Sequence, residues 1–147
     1  MTKARENRLW DWLKKAKPHF RDKLVMSRVE NMLMKGMADV TGGLLGCGFW
    51  IELKSAARPT KAGTKVSVKF QPGQSDWLKK WAKSGLPVYL LVQVGSGHKA
   101  QRYLISGSFA HRVEAGVPEY QLADLAEVPP DTPAVDMLRY IAQSPWN

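Results

Sequence analysis

The segment Leu86–Val94 is the feature that most limits how this chain can fold. Its residues are nearly all apolar, and Val88 to Val92 form the longest uninterrupted hydrophobic run in the 147 residues. A strand that is apolar on both faces must be covered on both sides, so we expect it near the centre of a sheet. The run is far shorter than the roughly 20 residues that a bilayer span needs. The sequence therefore predicts a layered domain with no role in a membrane.

The spacing of apolar residues predicts the elements around this central strand. We expect helices over residues 6–17, 20–35, 73–83, 120–126 and 133–143. We expect strands over residues 37–41, 48–54, 65–70, 86–94 and 102–106, with a turn at the glycines 42, 43 and 46. In the third helix, Trp77, Leu78 and Trp81 are expected to face inward. The fold class predicted is α/β (α+β), a small mixed sheet flanked by helices in a single domain over residues 1–147.

Cysteine content and the N-terminal residues indicate the cellular compartment. Cys47 is the one cysteine, so the chain forms no internal disulfide and has no cysteine-based zinc site. Residues 1–8 lead into no long apolar stretch, so we expect no signal peptide. Both observations favour the cytoplasm.

The charge of the chain is positive and unevenly distributed. The formal net charge is +9, yet residues 111–147 contain two basic and six acidic residues. The sequence thus divides into N-terminal basic helices over residues 1–35, a core over 29–94 and an acidic C-terminal segment over 111–147. A basic surface attracts polyanions such as nucleic acids. Basic surfaces also occur on proteins that bind no nucleic acid, so charge alone leaves both readings open.

Two carboxylates and a lysine are expected to meet on one face of the sheet. Glu52 and Lys54 are two residues apart on a predicted strand, so both side chains point to the same side. Asp39 precedes them across a glycine-rich turn, and a hairpin would bring it beside Glu52. Neighbouring carboxylates repel unless a cation lies between them, and such oxygen ligands suit Mg²⁺ or Mn²⁺. A lysine beside that ion could orient an attacking water molecule and offset the charge of a phosphate.

This set of residues, with Glu30 before it, resembles the motif of the PD-(D/E)XK nuclease superfamily. More narrowly, GFWIELKS at 48–55 followed by QSDWL at 74–78 resembles the VRR-NUC and phage Holliday junction resolvase-like branch. The similarity covers residues 29–94, and Ala38 stands where the family has proline. The resemblance implies a restriction-endonuclease-like core.

The resemblance implies a role for each residue that matches the motif. Asp39 and Glu52, with the main-chain carbonyl of Leu53, would bind Mg²⁺ (or Mn²⁺), and Glu30 would bind it directly or through water. Lys54 would position the attacking water. Gln74, preferred over Gln71 for its spacing to the following Trp-Leu pair, would support the lysine or contact the scissile phosphate.

The function expected is metal-dependent cleavage of DNA, with branched DNA such as a Holliday junction as substrate. Arg28, Lys61, Lys65 and Lys69 are candidate DNA contacts. Cutting two opposed strands needs two sites, hence a homodimer, and a bacteriophage origin would place the enzyme in the cytoplasm of a bacterial host. Two alternatives stay open. One is a non-selective endonuclease or nickase, and the other is a noncatalytic nucleic-acid-binding module on the same fold.

Overall fold

The computed structural model describes residues 3–29 and 36–143. The helices in these ranges are α1 (Lys3–Lys14), α2 (Lys17–Phe20), α3 (Gln74–Lys83), α4 (Ala110–Ala115), α5 (Glu119–Leu125) and α6 (Ala134–Gln143). The strands are β1 (Leu24–Arg28), β2 (Val40–Leu44), β3 (Cys47–Ala56), β4 (Lys65–Val66), β5 (Val88–Val94), β6 (Gln101–Ser106) and β7 (Val117–Pro118).

The main sheet of the described residues has the strand order β1-β2-β3-β5-β6. The first three strands form antiparallel hairpins, β3 pairs with β5 in parallel, and β6 returns antiparallel beside β5. A parallel pair needs a crossover connection, and here the chain passes through α3 between the two strands. The strands β4 and β7 form a separate two-stranded sheet.

Each face of the main sheet packs against its own group of helices. On β3, Phe49, Ile51 and Leu53 belong to one core cluster, to which α1, α2 and α6 contribute. Glu52 and Lys54 point to the other side, where α3, α4 and α5 pack over β5. The predicted fold class, a small mixed sheet flanked by helices, is confirmed. No helix in the described parts of the chain is both long and apolar enough to cross a bilayer.

The expected helix over residues 20–35 is wrong where the structure describes it. After α2 and a 3₁₀ turn at Arg21–Lys23, the chain forms β1. Leu24 is buried while Val25 is 62% exposed, so burial alternates with the period of a strand. Adjacent apolar residues fit a helix as well as a strand, and pairing with β2 decides between them. The basic N-terminal segment over residues 1–35 is therefore not all helical, and residues 30–35 lie outside the described ranges.

Four further elements differ from the expectations. The strand expected at 37–41 lies at Val40–Leu44, so Gly42 and Gly43 are inside β2 and the turn falls at Leu45 and Gly46, both with positive φ. Only Lys65–Val66 of the expected strand 65–70 pairs, against β7. The short helix α4 was not expected. The first helix ends at Lys14, and Pro18 lies near the start of α2 instead of ending α1.

The acidic C-terminal segment covers one edge of the sheet. The N–H of Glu127 donates to the carbonyl of Leu104 at 2.7 Å, and the N–H of Arg102 donates to the carbonyl of Pro130 at 3.1 Å. Farther along, α6 packs on the sheet face that α1 also covers. This segment thus completes the core and protects the β6 edge from pairing with another strand.

We predict that Gly42→Ala lowers the free energy of unfolding by about 1–3 kcal/mol, the usual cost of overpacking. A Cβ at Gly42 would lie 2.5 Å from Cζ of Phe49 and 2.7 Å from the backbone oxygen of Val25. Urea unfolding measures the loss. Gly43→Ala is the matched control, because its Cβ would meet nothing closer than 3.9 Å. Equal midpoints for the two variants would contradict this account of the packing.

Candidate active site

The β2–β3 hairpin brings Asp39 beside Glu52. The last ladder pair of the hairpin joins Val40 to Ile51, so the residue before β2 lies opposite Glu52. This is the juxtaposition that the sequence led us to expect. Residues directly opposite in an antiparallel pair share a face, and both carboxylates therefore lie on the α3 side of the sheet.

Main-chain groups hold both carboxylates in place. The N–H of Asp39 donates to Oε1 of Glu52 at 3.1 Å, and the N–H of Leu53 donates to Oδ2 of Asp39 at 3.2 Å. Each carboxylate thus accepts a hydrogen bond from the strand that carries the other. The two acidic groups are fixed by the backbone instead of by flexible partners.

Lys54 and Gln74 complete a buried network around Glu52. The ammonium of Lys54 lies 3.3 Å from Oε2 of Glu52 and donates to Oε1 of Gln74 at 2.7 Å. The Gln74 amide in turn donates to Oε2 of Glu52 at 3.0 Å. Glu52 is 1% exposed and Lys54 is 4% exposed. Charged groups this deep in a protein are stable only when paired and hydrogen-bonded, and these are both.

Gln74, and not Gln71, carries the side chain that joins the network. It is the first residue of α3, and Gly73 before it has a φ of +86°, a value that glycine adopts without strain. The N–H of Gln71 donates to the same Gln74 oxygen at 2.8 Å, so a main-chain contact fixes the amide orientation. No sequence signal marks that contact.

Phe70 is a neighbour of the site that the motif does not include. The ammonium of Lys54 lies 4.7 Å from the centre of the Phe70 ring, within cation–π range. The alternation of Phe70 with Val66 and Val68 could have indicated that its side chain faces inward. Nothing in the sequence indicates its contact with Lys54. The ring covers the lysine on a side where no hydrogen-bond acceptor is needed.

Burial raises the pKa of both carboxyl groups, and the charge of Asp39 adds to the rise at Glu52. The pKa of Glu52 rises to about 8, mainly because of burial and next because of the charge of Asp39, while Lys54 and the hydrogen bonds oppose the shift. The pKa of Asp39 is also raised, by burial, against the opposing effects of the Leu53 N–H and of the charges of Lys54 and Arg28. The charged pair is therefore costly in the absence of further positive charge.

The donor set fits a hard divalent cation. Two adjacent carboxylates whose charged forms are disfavoured would both be stabilised by Mg²⁺ or Mn²⁺, which prefer oxygen ligands and keep open positions for water. Among residues 3–29 and 36–143, no group of three or more His, Cys, Asp or Glu side chains is clustered for a metal. Further ligands would come from water and the main chain, or from Glu30, which lies outside the described residues.

The expected DNA-contacting residues occupy different places. Arg28 ends β1 and donates a hydrogen bond to Asn7, and it is close enough to Asp39 for its charge to lower that carboxyl's pKa. Lys61, Lys65 and Lys69 are exposed, in the loop and short strand that follow β3. Arg28 thus acts on Asp39 through its charge from the α1 face of the sheet, while the three lysines take no part in the hydrogen-bond network.

Comparison with known proteins gives likenesses to solved structures but no matching family. No protein-family model matches the chain, and no curated protein matches it. A solved structure of Hjc, a Holliday junction resolvase from the archaeal hyperthermophile Archaeoglobus fulgidus, is similar at 15% identity and a TM-score of 0.43. The match covers 80% of this chain and 96% of that one. We base no functional conclusion on a likeness at this level.

We predict that metal-free protein loses stability as the pH rises from about 5 to about 8. The raised pKa of Glu52 means that the folded state keeps a proton that the unfolded state has released, so stability falls with pH in this window. Asp39→Asn removes one cause of the shift. At pH 8 in EDTA it should unfold about 2–4 °C higher, which corresponds to about 1 kcal/mol.

Thermal melts of both proteins at several pH values measure this difference. The exposed loop residue Asp131 supplies the control variant Asp131→Asn, whose melting temperature should follow that of the unchanged protein. Identical pH slopes for Asp39→Asn and the unchanged protein would show that the two carboxyl groups are not electrostatically coupled.

Proposed function

We propose that this chain is a metal-dependent endonuclease that hydrolyses phosphodiester bonds of DNA. The observation that carries the proposal is the buried network of Asp39, Glu52, Lys54 and Gln74. It places two carboxylates and an ammonium group on one rigid face of a sheet, an arrangement suited to metal-assisted hydrolysis of a phosphodiester. The order of hairpin, crossover helix and parallel strand also agrees with the restriction-endonuclease-like core that the motif implies.

Asp39 and Glu52 would hold Mg²⁺ or Mn²⁺, together with the Leu53 carbonyl and Glu30 that the nuclease motif adds. When bound, such an ion supplies Lewis acidity and positive charge at the scissile phosphate. The carboxylates are already fixed by the N–H groups of residues 39 and 53, so binding would require little reorganisation. This prior ordering lowers the free-energy cost of assembling the site.

Lys54 would orient the attacking water and balance the charge that develops on the phosphate. Its ammonium is held by Gln74 and Glu52 in a site from which bulk water is largely excluded, where electrostatic stabilisation is strong. Gln74 acts as a positioning residue, because its oxygen holds the lysine while its amide nitrogen holds Glu52. The start of α3 also favours an anion such as phosphate.

The substrate that we propose is branched duplex DNA, as the nuclease motif implies, and the enzyme would act as a homodimer. Paired cuts in opposed strands need two active sites. Arg28, Lys61, Lys65 and Lys69 would contact phosphates around the cleft. The setting proposed is the reducing cytoplasm of a bacterium, with a phage as the source of the protein. It suits a chain whose lone cysteine, Cys47, is buried and free.

We expect Glu52→Ala and Lys54→Ala each to lower the rate of metal-dependent cleavage by at least about a hundredfold, because each removes a charge that acts in the transition state. The assay measures cutting of a labelled four-way junction, linear duplex and single strand in Mg²⁺, Mn²⁺ and EDTA. Gel-shift titration in EDTA should give similar DNA affinities for Lys54→Ala and the unchanged protein. The exposed residues Asp131 and Lys99 provide the control variants Asp131→Ala and Lys99→Ala.

The outcomes separate the proposal from its alternatives. Paired cuts in the junction that vanish in both variants and in EDTA would support a junction resolvase. Equal cleavage of linear duplex would keep the site and identify a non-selective endonuclease or nickase. Binding without metal-dependent cleavage of any DNA would overturn the enzymatic proposal in favour of a noncatalytic binding module.

We predict that three variants weaken DNA binding: Lys61→Ala, Lys65→Ala and Lys69→Ala. Each should lower the affinity by a similar factor for every DNA sequence. If a lysine contacts a phosphate, its loss lowers the slope of log affinity against log salt by about one. Binding titrations at several salt concentrations measure the slope. A variant with unchanged affinity and slope would assign that lysine to the solvated surface.

A further inference from the structure

The sheet face that carries Glu52 is covered over one half only. Over β3, β5 and β6 this face packs against α3, α4 and α5. Over β1, β2 and the first residues of β3 it is open in the described residues, since Val25 is 62% exposed and Ser27 and Gly48 are exposed too. The open half lies directly beside the two carboxylates.

The register of the strands divides this open face into two rows that lead to the active site. The first row is Val25, Gly43 and Gly48, and the second is Ser27, Thr41 and Trp50. Asp39 and Glu52 come next in the same direction. Successive rows are about 7 Å apart, because a strand rises about 3.3 Å per residue and each row is two residues from the next.

Neither the backbone nor packing against residues 3–29 and 36–143 explains the glycines of the first row. Gly43 and Gly48 do not have positive φ, and a Cβ at either would meet no atom closer than 3.9 Å. Gly42 differs, because Phe49 and Val25 leave no room for its Cβ. A glycine inside a strand costs stability and often marks the close approach of a ligand. The pair forms a flat floor two rows, about 14 Å, from the carboxylates, with the row of Trp50 between them.

Three tryptophans form a wall along this floor. The rings of Trp77 and Trp81 are stacked, with centres 5.1 Å apart and planes inclined by 20°, and Trp50 lies 6.3 Å from Trp81. All three are half-buried, so each presents some aromatic surface to solvent. The buried Nε1 of Trp77 has no hydrogen-bond partner in the described residues. On one face of α3, Gln74 is thus followed by Trp77 and Trp81, so an aromatic surface lies beside the polar site.

We propose that this floor and wall bind the DNA strand next to the scissile phosphate, with an unpaired base stacked on Trp50. This inference rests on the nuclease function proposed above and names its substrate class, namely DNA with unpaired nucleotides at the branch or cut. Bases inside a continuous duplex are covered on both faces by their neighbours, so an indole can stack on a base only where the duplex is interrupted, as it is at unpaired nucleotides. The glycine floor lets the sugar–phosphate chain approach the sheet closely.

Position and charge favour a nucleic-acid strand over a protein as occupant. Trp50 and Glu52 project from the same face of β3, so the rows beside the carboxylates lie within reach of a strand whose phosphate is at the site. The charge of Arg28, whose side chain lies on the α1 face at the end of β1, acts on Asp39, and the chain has a formal net charge of +9. These charges attract a polyanion.

The test uses the fluorescence of 2-aminopurine placed singly at positions around the crossover of a four-way junction, in EDTA to prevent cleavage. One junction carries two unpaired nucleotides at the crossover, and the other is fully paired. Stacking on tryptophan should quench the probe at one or two unpaired positions. The junction with unpaired nucleotides should also bind more tightly.

Two kinds of variant separate stacking from misfolding. Trp50→Thr should abolish the quenching and weaken binding of the unpaired substrate about tenfold, in line with the energy of one base–aromatic stack. Gly43→Thr and Gly48→Thr should raise the melting temperature, because threonine suits a strand better than glycine, yet weaken binding of the same DNA. Trp12→Leu is the matched control, since Trp12 stacks on Arg102 and packs against the other core.

The outcomes distinguish this inference from the proposed function. Quenching that Trp50→Thr removes supports the stacking site, even when the protein cleaves no DNA in Mg²⁺ and the nuclease proposal fails. Metal-dependent cleavage without quenching at any position would overturn the stacking site and keep the nuclease. Glycine variants that gain stability and keep full affinity would also overturn it, since the floor would then contact no DNA.

Discussion

The reciprocal hydrogen bonds between residue 39 and residues 52 and 53 are the constraint on which the site depends. The β2–β3 ladder ends at the Val40–Ile51 pair. Beyond it, the main-chain N–H of Asp39 donates to the Glu52 carboxylate, and that of Leu53 donates to the Asp39 carboxylate. The strands therefore continue side by side while their ladder is replaced by side-chain contacts. Because backbone geometry sets this arrangement, the spacing of Asp39 and Glu52 is as rigid as the sheet itself.

This rigidity has an electrostatic cost that the surroundings only partly offset. Lys54 provides one positive charge and Gln74 one neutral donor, yet the pKa of Glu52 still rises to about 8. A sequence selected only for stability would replace one carboxylate with an apolar or amide side chain. Retaining two carboxyl groups with raised pKa values in a buried place is typical of sites whose pKa values serve chemistry. The free-energy cost of this carboxyl pair is offset by burial of apolar residues of β3 and β5 in the two core clusters.

The central part of the fold and the site could be predicted because each signal was local and strongly periodic. The alternation along β3 separated Ile51 and Leu53 from Glu52 and Lys54, and the apolar run of β5 fixed the centre of the sheet. The sequence predicts a helix where β1 lies, because Leu24 and Val25 fit the period of a helix as well as that of a strand. Only pairing with β2 distinguishes the two structures. Contacts that join distant parts of the main chain, such as Gln71 to Gln74 across a glycine turn, leave no pattern in the residue types. Glu30 and the three exposed lysines stay predictions.

The glycines illustrate why residue type alone does not determine structure. The sequence predicts a turn at the adjacent residues Gly42 and Gly43. Both lie within β2 instead and face opposite sides of the sheet. Gly42 is required because Phe49 fills the space above it, whereas Gly43 faces open solvent. One therefore serves the core and the other leaves a surface free. A strand glycine that no described residue requires agrees with the close approach of a ligand, and the DNA strand proposed here would pass from Gly43 over the row of Trp50 to the carboxylates.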